Sequence, residues 1–191
     1  MKQLSLVVLM FVMSMSVSNA AIITVDNTTP SVGNYKTLQE MHDAANDGDT
    51  IYVYPSSSPY QGIVIEKNLT ILGTGYGSPG PELKSTVIAG TMTFNEGAEG
   101  VKLQGFNGSF NVTISTGDTT VMNNVINELT INGNKTNIFR NNISKVTVNG
   151  NDANIKQNII KAVSISADHS GTVFLQNYIR YDLCNDYIIK N

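Results

Sequence analysis

Asp118, Lys135, Asp152 and His169 recur at a spacing of 17 residues, with Asp168 beside the last. Carboxylates set in a row can hold calcium or neutralise an acidic substrate, and a lysine or histidine can move a proton. If each repeat is one structural unit, neighbours in this column lie within side-chain reach. The same arrangement has a plainer use. Lys135 stands between two acids, which would hold it charged and make it a poor base. An alternating acid–base row also stabilises stacked turns without any catalysis. The stacked-turn reading is favoured, and Lys135, Asp152, Asp168 and His169 remain the catalytic candidates beside it.

A second set is polar and uncharged. Thr93, Thr113, Thr130, Thr147 and Ser164 sit at the centres of recurring strand-like triplets. A flat row of hydroxyls at strand spacing could bind carbohydrate or match an ice lattice. Glu128 and Lys145 fall on the same outward face in adjacent repeats, where they would pair and break the uniformity that ice needs. No aromatic residue lies among the outward positions of these triplets to stack on a sugar. Threonine is also simply a good strand residue with a polar side. Solvated face is the favoured reading, and glycan contact is the functional one.

These columns require a repeating scaffold, and the chain supplies it. Val112-Thr113-Ile114, Leu129-Thr130-Ile131, Val146-Thr147-Val148 and Val163-Ser164-Ile165 begin 17 residues apart, and Met92-Thr93-Phe94 is an earlier copy. Asn124, Asn141 and Asn158 keep the same period, and Asn177 follows 19 residues later. The Asn132-Gly133 turn recurs as Asn149-Gly150. A fixed period near 20 is the mark of a solenoid. Short β-branched runs between turn residues make each repeat one coil of a parallel β-helix, stacked ~4.8 Å above the last. Alternation then puts Val112 and Ile114 inside and Thr113 outside. The asparagine column becomes an internal ladder whose amides satisfy one another and the turn backbone.

Composition agrees. The chain has 191 residues, 41% hydrophobic and only 14% charged, with 23 asparagines filling the polar positions. Low charge with ample Val and Ile excludes both a disordered chain and a coiled coil. A net charge of −3 supplies no basic field for nucleic acid. A single cysteine, Cys184, excludes an internal disulfide framework and a cysteine zinc cluster.

The ends have their own signals. Lys2, an apolar run from Leu4 to Met15, and small residues Ser18 and Ala20 have the layout of a secretory signal peptide over 1–20. The run is shorter than the ~20 residues that a membrane span needs. Residues 21–191 then form the β-helix domain, with an N-terminal strand and cap helix over 21–49, coils over 50–183 and a tail over 184–191. Thr37-Leu38-Gln39-Glu40 reads as a capping box that opens a short helix with Leu38, Met41 and Ala45 on one face. Gly48 ends it.

From Thr37 to Gly73 the chain resembles the opening of the pectin-lyase-like right-handed parallel β-helix superfamily. A short helix covering the first coil is followed by Gly48-Asp49-Thr50-Ile51, Tyr60 and Asn68-Leu69-Thr70-Ile71 with Gly73. The resemblance implies an all-β, right-handed single-stranded solenoid of about seven coils. Its members include polysaccharide lyases, hydrolases, esterases, epimerases, tailspikes and adhesins, so it is specific for fold and not for activity. The Asp cluster with Gly-His-Gly of its hydrolases is absent here. So are the Asp-Pro-His-Glu motif of alginate epimerases and the Gly-Tyr-Gln-Asp-Thr-Leu motif of pectinesterases. A lyase of this kind would use carboxylates, with calcium, to neutralise a uronate and a lysine to take the proton.

The expectation is an exported, extracellular or cell-surface module without a cofactor, adhesive or glycan-binding. A lyase acting on an acidic polysaccharide is the alternative, and calcium enters only there. No helical pattern follows Ile179, and Tyr178, Tyr181 and Tyr187 concentrate aromatic surface at that end. An incompletely capped end that promotes self-association is expected.

Overall fold

The repeated triplets form parallel strands in the computed structural model, which describes residues 20–75, 85–108, 110–166 and 170–182. The chain enters through β1 (Ile22–Val25) and helix α1 (Leu38–Ala44). Next come β2 (Thr50–Val53), β3 (Tyr60–Gln61), β4 (Val64–Ile65), β5 (Thr70–Leu72), β6 (Ile88–Ala89) and β7 (Thr91–Phe94). Regular coils follow, two strands each. They are β8 (Lys102–Gln104) with β9 (Asn111–Ile114), β10 (Thr120–Met122) with β11 (Val125–Ile131), and β12 (Asn137–Phe139) with β13 (Asn142–Val148). The last are β14 (Asn154–Lys156) with β15 (Ile159–Ile165), and β16 (Val173–Leu175) with β17 (Tyr178–Asp182).

Each strand pairs in parallel with its counterpart one coil away, so the molecule is a parallel β-solenoid. One sheet has eight strands in the order β1-β2-β5-β8-β10-β12-β14-β16, and the other has seven in the order β4-β7-β9-β11-β13-β15-β17. β3 and β6 form a small third pair. No described helix is long and apolar enough to cross a membrane.

Inward alternation makes the core. Val112, Ile114, Leu129, Ile131, Val146, Val148 and Val163 are each no more than 1% exposed. Burying one such side chain stabilises by about 1.5–3 kcal/mol, and stacking turns the singles into continuous apolar ladders. Ile165, expected in the same class, is only partly buried, because the pairing of β15 with β17 ends at Val163↔Asp182.

The corner between the two sheets carries the asparagine ladder. Asn124, Asn141, Asn158 and Asn177 are all buried. The Asn141 Oδ1 accepts from the Asn124 backbone N–H at 3.0 Å, and the Asn158 Oδ1 does the same for Asn141 at 2.9 Å. Asn177 serves Asn158, and Asn124 serves the Phe106 N–H that begins the series. The residue before each ladder asparagine is left-handed: Asn123, Arg140, Gln157 and Gln176 have φ of 54–56°.

At the N-terminal end the capping box forms as its residues require. The Glu40 N–H donates to the Thr37 hydroxyl, and the Thr37 N–H to the Glu40 carboxylate, both at 3.1 Å. α1 buries Leu38 and Met41 in the core. Lys67 ties its far end down by donating to the carbonyls of His42 and Ala45. The Asp49 carboxylate accepts from the N–H groups of Asn46 and Ala21, which gives the Gly-Asp-Thr-Ile motif its job.

Candidate functional site

The charged turn column is first a backbone feature. Asp118, Lys135 and Asp152 all have φ of 55–57°, the left-handed region. Their N–H groups donate to the carbonyls of Asn134, Asn151 and Ser170, one coil on, at 2.9–3.1 Å. Asp and Asn tolerate this conformation and Lys less so. The side chains project outward and are exposed. Among the described residues no ion pair joins Lys135 to either carboxylate, so the flanking acids expected to grip it do not.

The next rung departs from the period of 17. Asn154 pairs with Val173, which sets Gly171, at φ 70°, above Asp152. A Cβ at Gly171 would lie 2.0 Å from the Asp152 Oδ1, so that carboxylate rests on the glycine. Two extra residues in the last repeat cause the shift. Asp168 and His169 lie outside the described residues. No group of three His, Cys, Asp or Glu among the described residues is placed to hold a metal ion.

The hydroxyl row forms in register. Thr93 pairs with Thr113, Thr113 with Thr130, Thr130 with Thr147, and Thr147 with Ser164. These side chains point outward yet are half-buried rather than open, because each is flanked by the same residue ~4.8 Å above and below. The flanking columns are occupied with themselves. Lys145 meets Glu128 at 3.4 Å, as their register predicts. The Asn149 amide donates to Asn132 at 2.8 Å, and Asn127 donates to Asn111 at 3.1 Å. The five hydroxyls, by contrast, have no hydrogen-bond partner among the described residues. Their row is a strip of free donors and acceptors between two self-satisfied borders.

A concave feature lies elsewhere, in the irregular early coils. Thr24, Tyr52, Val53, Tyr54, Gly73 and Thr74 line a groove of about 420 Å³. Tyr52 and Tyr54 are 48% and 40% exposed, while their neighbours Ile51 and Val53 are buried. The signal was present in the strand Thr-Ile-Tyr-Val-Tyr, whose alternation turns both tyrosines outward. It was missed because the search for a face followed the later triplets. A smaller space of about 310 Å³ lies beside α1, next to Tyr60 and Pro59.

The groups with shifted pKa values serve the scaffold. Asp26 is held below the usual carboxylate range, chiefly by the Val32 N–H, against its own burial. Glu40 is lowered by the N–H groups of Lys36 and Thr37. Burial pushes the Tyr60 phenol up, and its hydroxyl donates to the Tyr54 carbonyl at 2.9 Å.

Comparison with protein-family models, curated proteins and solved structures finds no match for this chain.

Proposed function

We propose that this chain is an exported, non-catalytic β-helix module that binds glycan through its outward hydroxyl face. The observation that carries the reading is the free row of Thr93, Thr113, Thr130, Thr147 and Ser164, in register and framed by side chains that satisfy one another. Sugar hydroxyls need paired donors and acceptors at fixed spacing, and a rigid strand face supplies them with little ordering cost. The signal-peptide layout supports export. The Thr37–Gly73 pattern supports kinship with pectin-lyase-like β-helices, a fold that often meets polysaccharide.

The test is a glycan array with residues 21–191, run with and without calcium, followed by Thr113→Val, Thr130→Val and Thr147→Val combined. Binding that the triple variant loses supports the reading. Binding that survives it, or no binding to any glycan, refutes it.

The alternative, a lyase acting on a uronate polymer with calcium, rests on the exposed column of Asp118, Lys135 and Asp152. Lys135→Gly separates catalysis from folding, since glycine suits the left-handed turn. Under the lyase reading the variant keeps its fold and forms no unsaturated product on uronate polymers.

A further inference from the structure

The early coils combine three features that the regular coils lack. Two aromatic rings face outward, two residues apart on one strand, which sets their Cα atoms roughly 7 Å apart. A groove of about 420 Å³ opens beside them, within the range of small-ligand sites. No charged side chain lines it.

The floor and walls are fixed. Gly73 allows the close approach beneath: a Cβ there would lie 2.5 Å from the Gly105 carbonyl oxygen. On one wall the Thr24 hydroxyl donates to Asn34 at 2.7 Å and accepts from the Asn34 N–H at 3.0 Å. On the other the Thr74 hydroxyl accepts from the Thr86 N–H at 3.0 Å, and the two threonine hydroxyls sit 3.1 Å apart. The wall threonines are therefore committed to the protein and hold their shape. The phenol hydroxyls of Tyr52 and Tyr54 are the contrast, with no hydrogen-bond partner among the described residues. Two rigid rings with free polar tips, on a strand whose other face is buried, cost little entropy to bind against.

We infer that the Tyr52–Tyr54 groove is a separate subsite for a neutral, unbranched pyranose chain, whose C–H faces stack on the two rings while its hydroxyls meet the phenols. This rests on the reading of the module as a glycan binder and adds a second site, of different chemistry, away from the hydroxyl row. The uncharged lining selects against uronates, because a carboxylate would be desolvated there without a cation to pair it. Aromatic faces favour sugars with an apolar side, and a groove favours a chain over a branched cluster.

The experiment is calorimetric titration of residues 21–191 with cellohexaose, xylohexaose, mannohexaose and hexagalacturonate. Each is repeated with Tyr52→Ala, Tyr54→Ala, Tyr52→Phe and Tyr54→Phe. At least one neutral hexasaccharide is expected to bind more tightly than hexagalacturonate. Each alanine variant is expected to weaken it at least tenfold. The phenylalanine variants, which keep the ring, are expected to stay within about threefold, and Thr130→Val is expected to leave this site unchanged. Circular dichroism of each variant shows that the fold is intact. Neutral glycan bound equally by wild type and both alanine variants overturns the subsite and leaves the glycan-binding reading standing. Preference for hexagalacturonate overturns the subsite as well. An absence of binding to every probe overturns the reading beneath it.

Discussion

Removing one rung of the asparagine ladder should cost far more than removing the same amide pair on the outside. The Asn141 side chain makes five hydrogen bonds. In Asn141→Ala, the Asn124 backbone N–H loses its acceptor while remaining fully buried. An orphaned buried N–H costs about 1–3 kcal/mol, and the void left by the amide adds about 1 kcal/mol. The Asn124 amide keeps the carbonyls of Leu103 and Met122, and the Asn158 Oδ1 keeps the backbone N–H of residue 141, so the damage stops there. The sum is about 3–4 kcal/mol. Asn149→Ala is the control. It removes an amide–amide bond of 2.8 Å that is as short but solvent-exposed. That change should stay within about 0.5 kcal/mol. Urea unfolding followed by far-ultraviolet circular dichroism reads both. With m of about 2–3 kcal/mol/M, the Asn141→Ala midpoint should fall by about 1–2 M and that of Asn149→Ala hardly at all. Equal shifts in the two variants, or a loss under about 1 kcal/mol for Asn141→Ala, would refute burial as the source of the ladder's value.

Gly133→Ala would place a Cβ 1.7 Å from the Thr116 carbonyl oxygen, whereas Gly117→Ala meets nothing closer than the Asn134 oxygen at 3.4 Å. The first should lose about 3 kcal/mol in urea and the second little, and comparable midpoints would sink the close-packed turn. Asp26 has a lowered pKa in the folded state, so its contribution is present above its unfolded value of 3.8 and is lost as pH falls below that. The melting temperature of wild type should therefore drop relative to that of Asp26→Asn as the solution is taken below pH 3.8, and parallel curves would contradict this. At the C-terminal end, Ile159, Val173, Leu175 and Tyr178 are 44–64% exposed around the last coil. Sedimentation of residues 21–191 should show mass rising with concentration, and Ile159→Asp with Tyr178→Asp should lower it. A strict monomer at high concentration would remove self-association from consideration.

The inward half of this molecule was legible because it is a code of two columns. Apolar residues two apart and asparagines 17 apart leave one stacking register, and a slip by one residue would turn every valine outward. The capping box was legible for the same reason: Thr37 and Glu40 have one geometry in which both orphan N–H groups are met. The turn column was legible as a column but not as a cause. Its chemistry looked like acid and base, while its backbone shows that each position is a left-handed turn. Nor did the period reveal that the last rung sets Gly171, not residue 169, over Asp152, because an insertion of two residues is silent until the strands on either side are paired.

The outward half follows a different logic. A residue that points to solvent has few packing constraints, so type and spacing there say little unless something breaks the rule. In a solenoid, repetition is itself a clue to constraint: positions that recur every coil answer to the backbone, as Asp118, Lys135 and Asp152 do. Positions that depart from their own column are free to answer to something else. On the outer face of the larger sheet, one column runs Thr24, Tyr52, Leu72, Gln104, Met122, Phe139, Lys156, Leu175 through the registered pairs. Its side chains follow no pattern, so the stacking does not dictate them. The exposed tyrosine enters this column where the groove opens, and an exposed leucine enters it at the last coil. Those two interruptions, rather than the regular rows between them, are where contact with another molecule should first be sought.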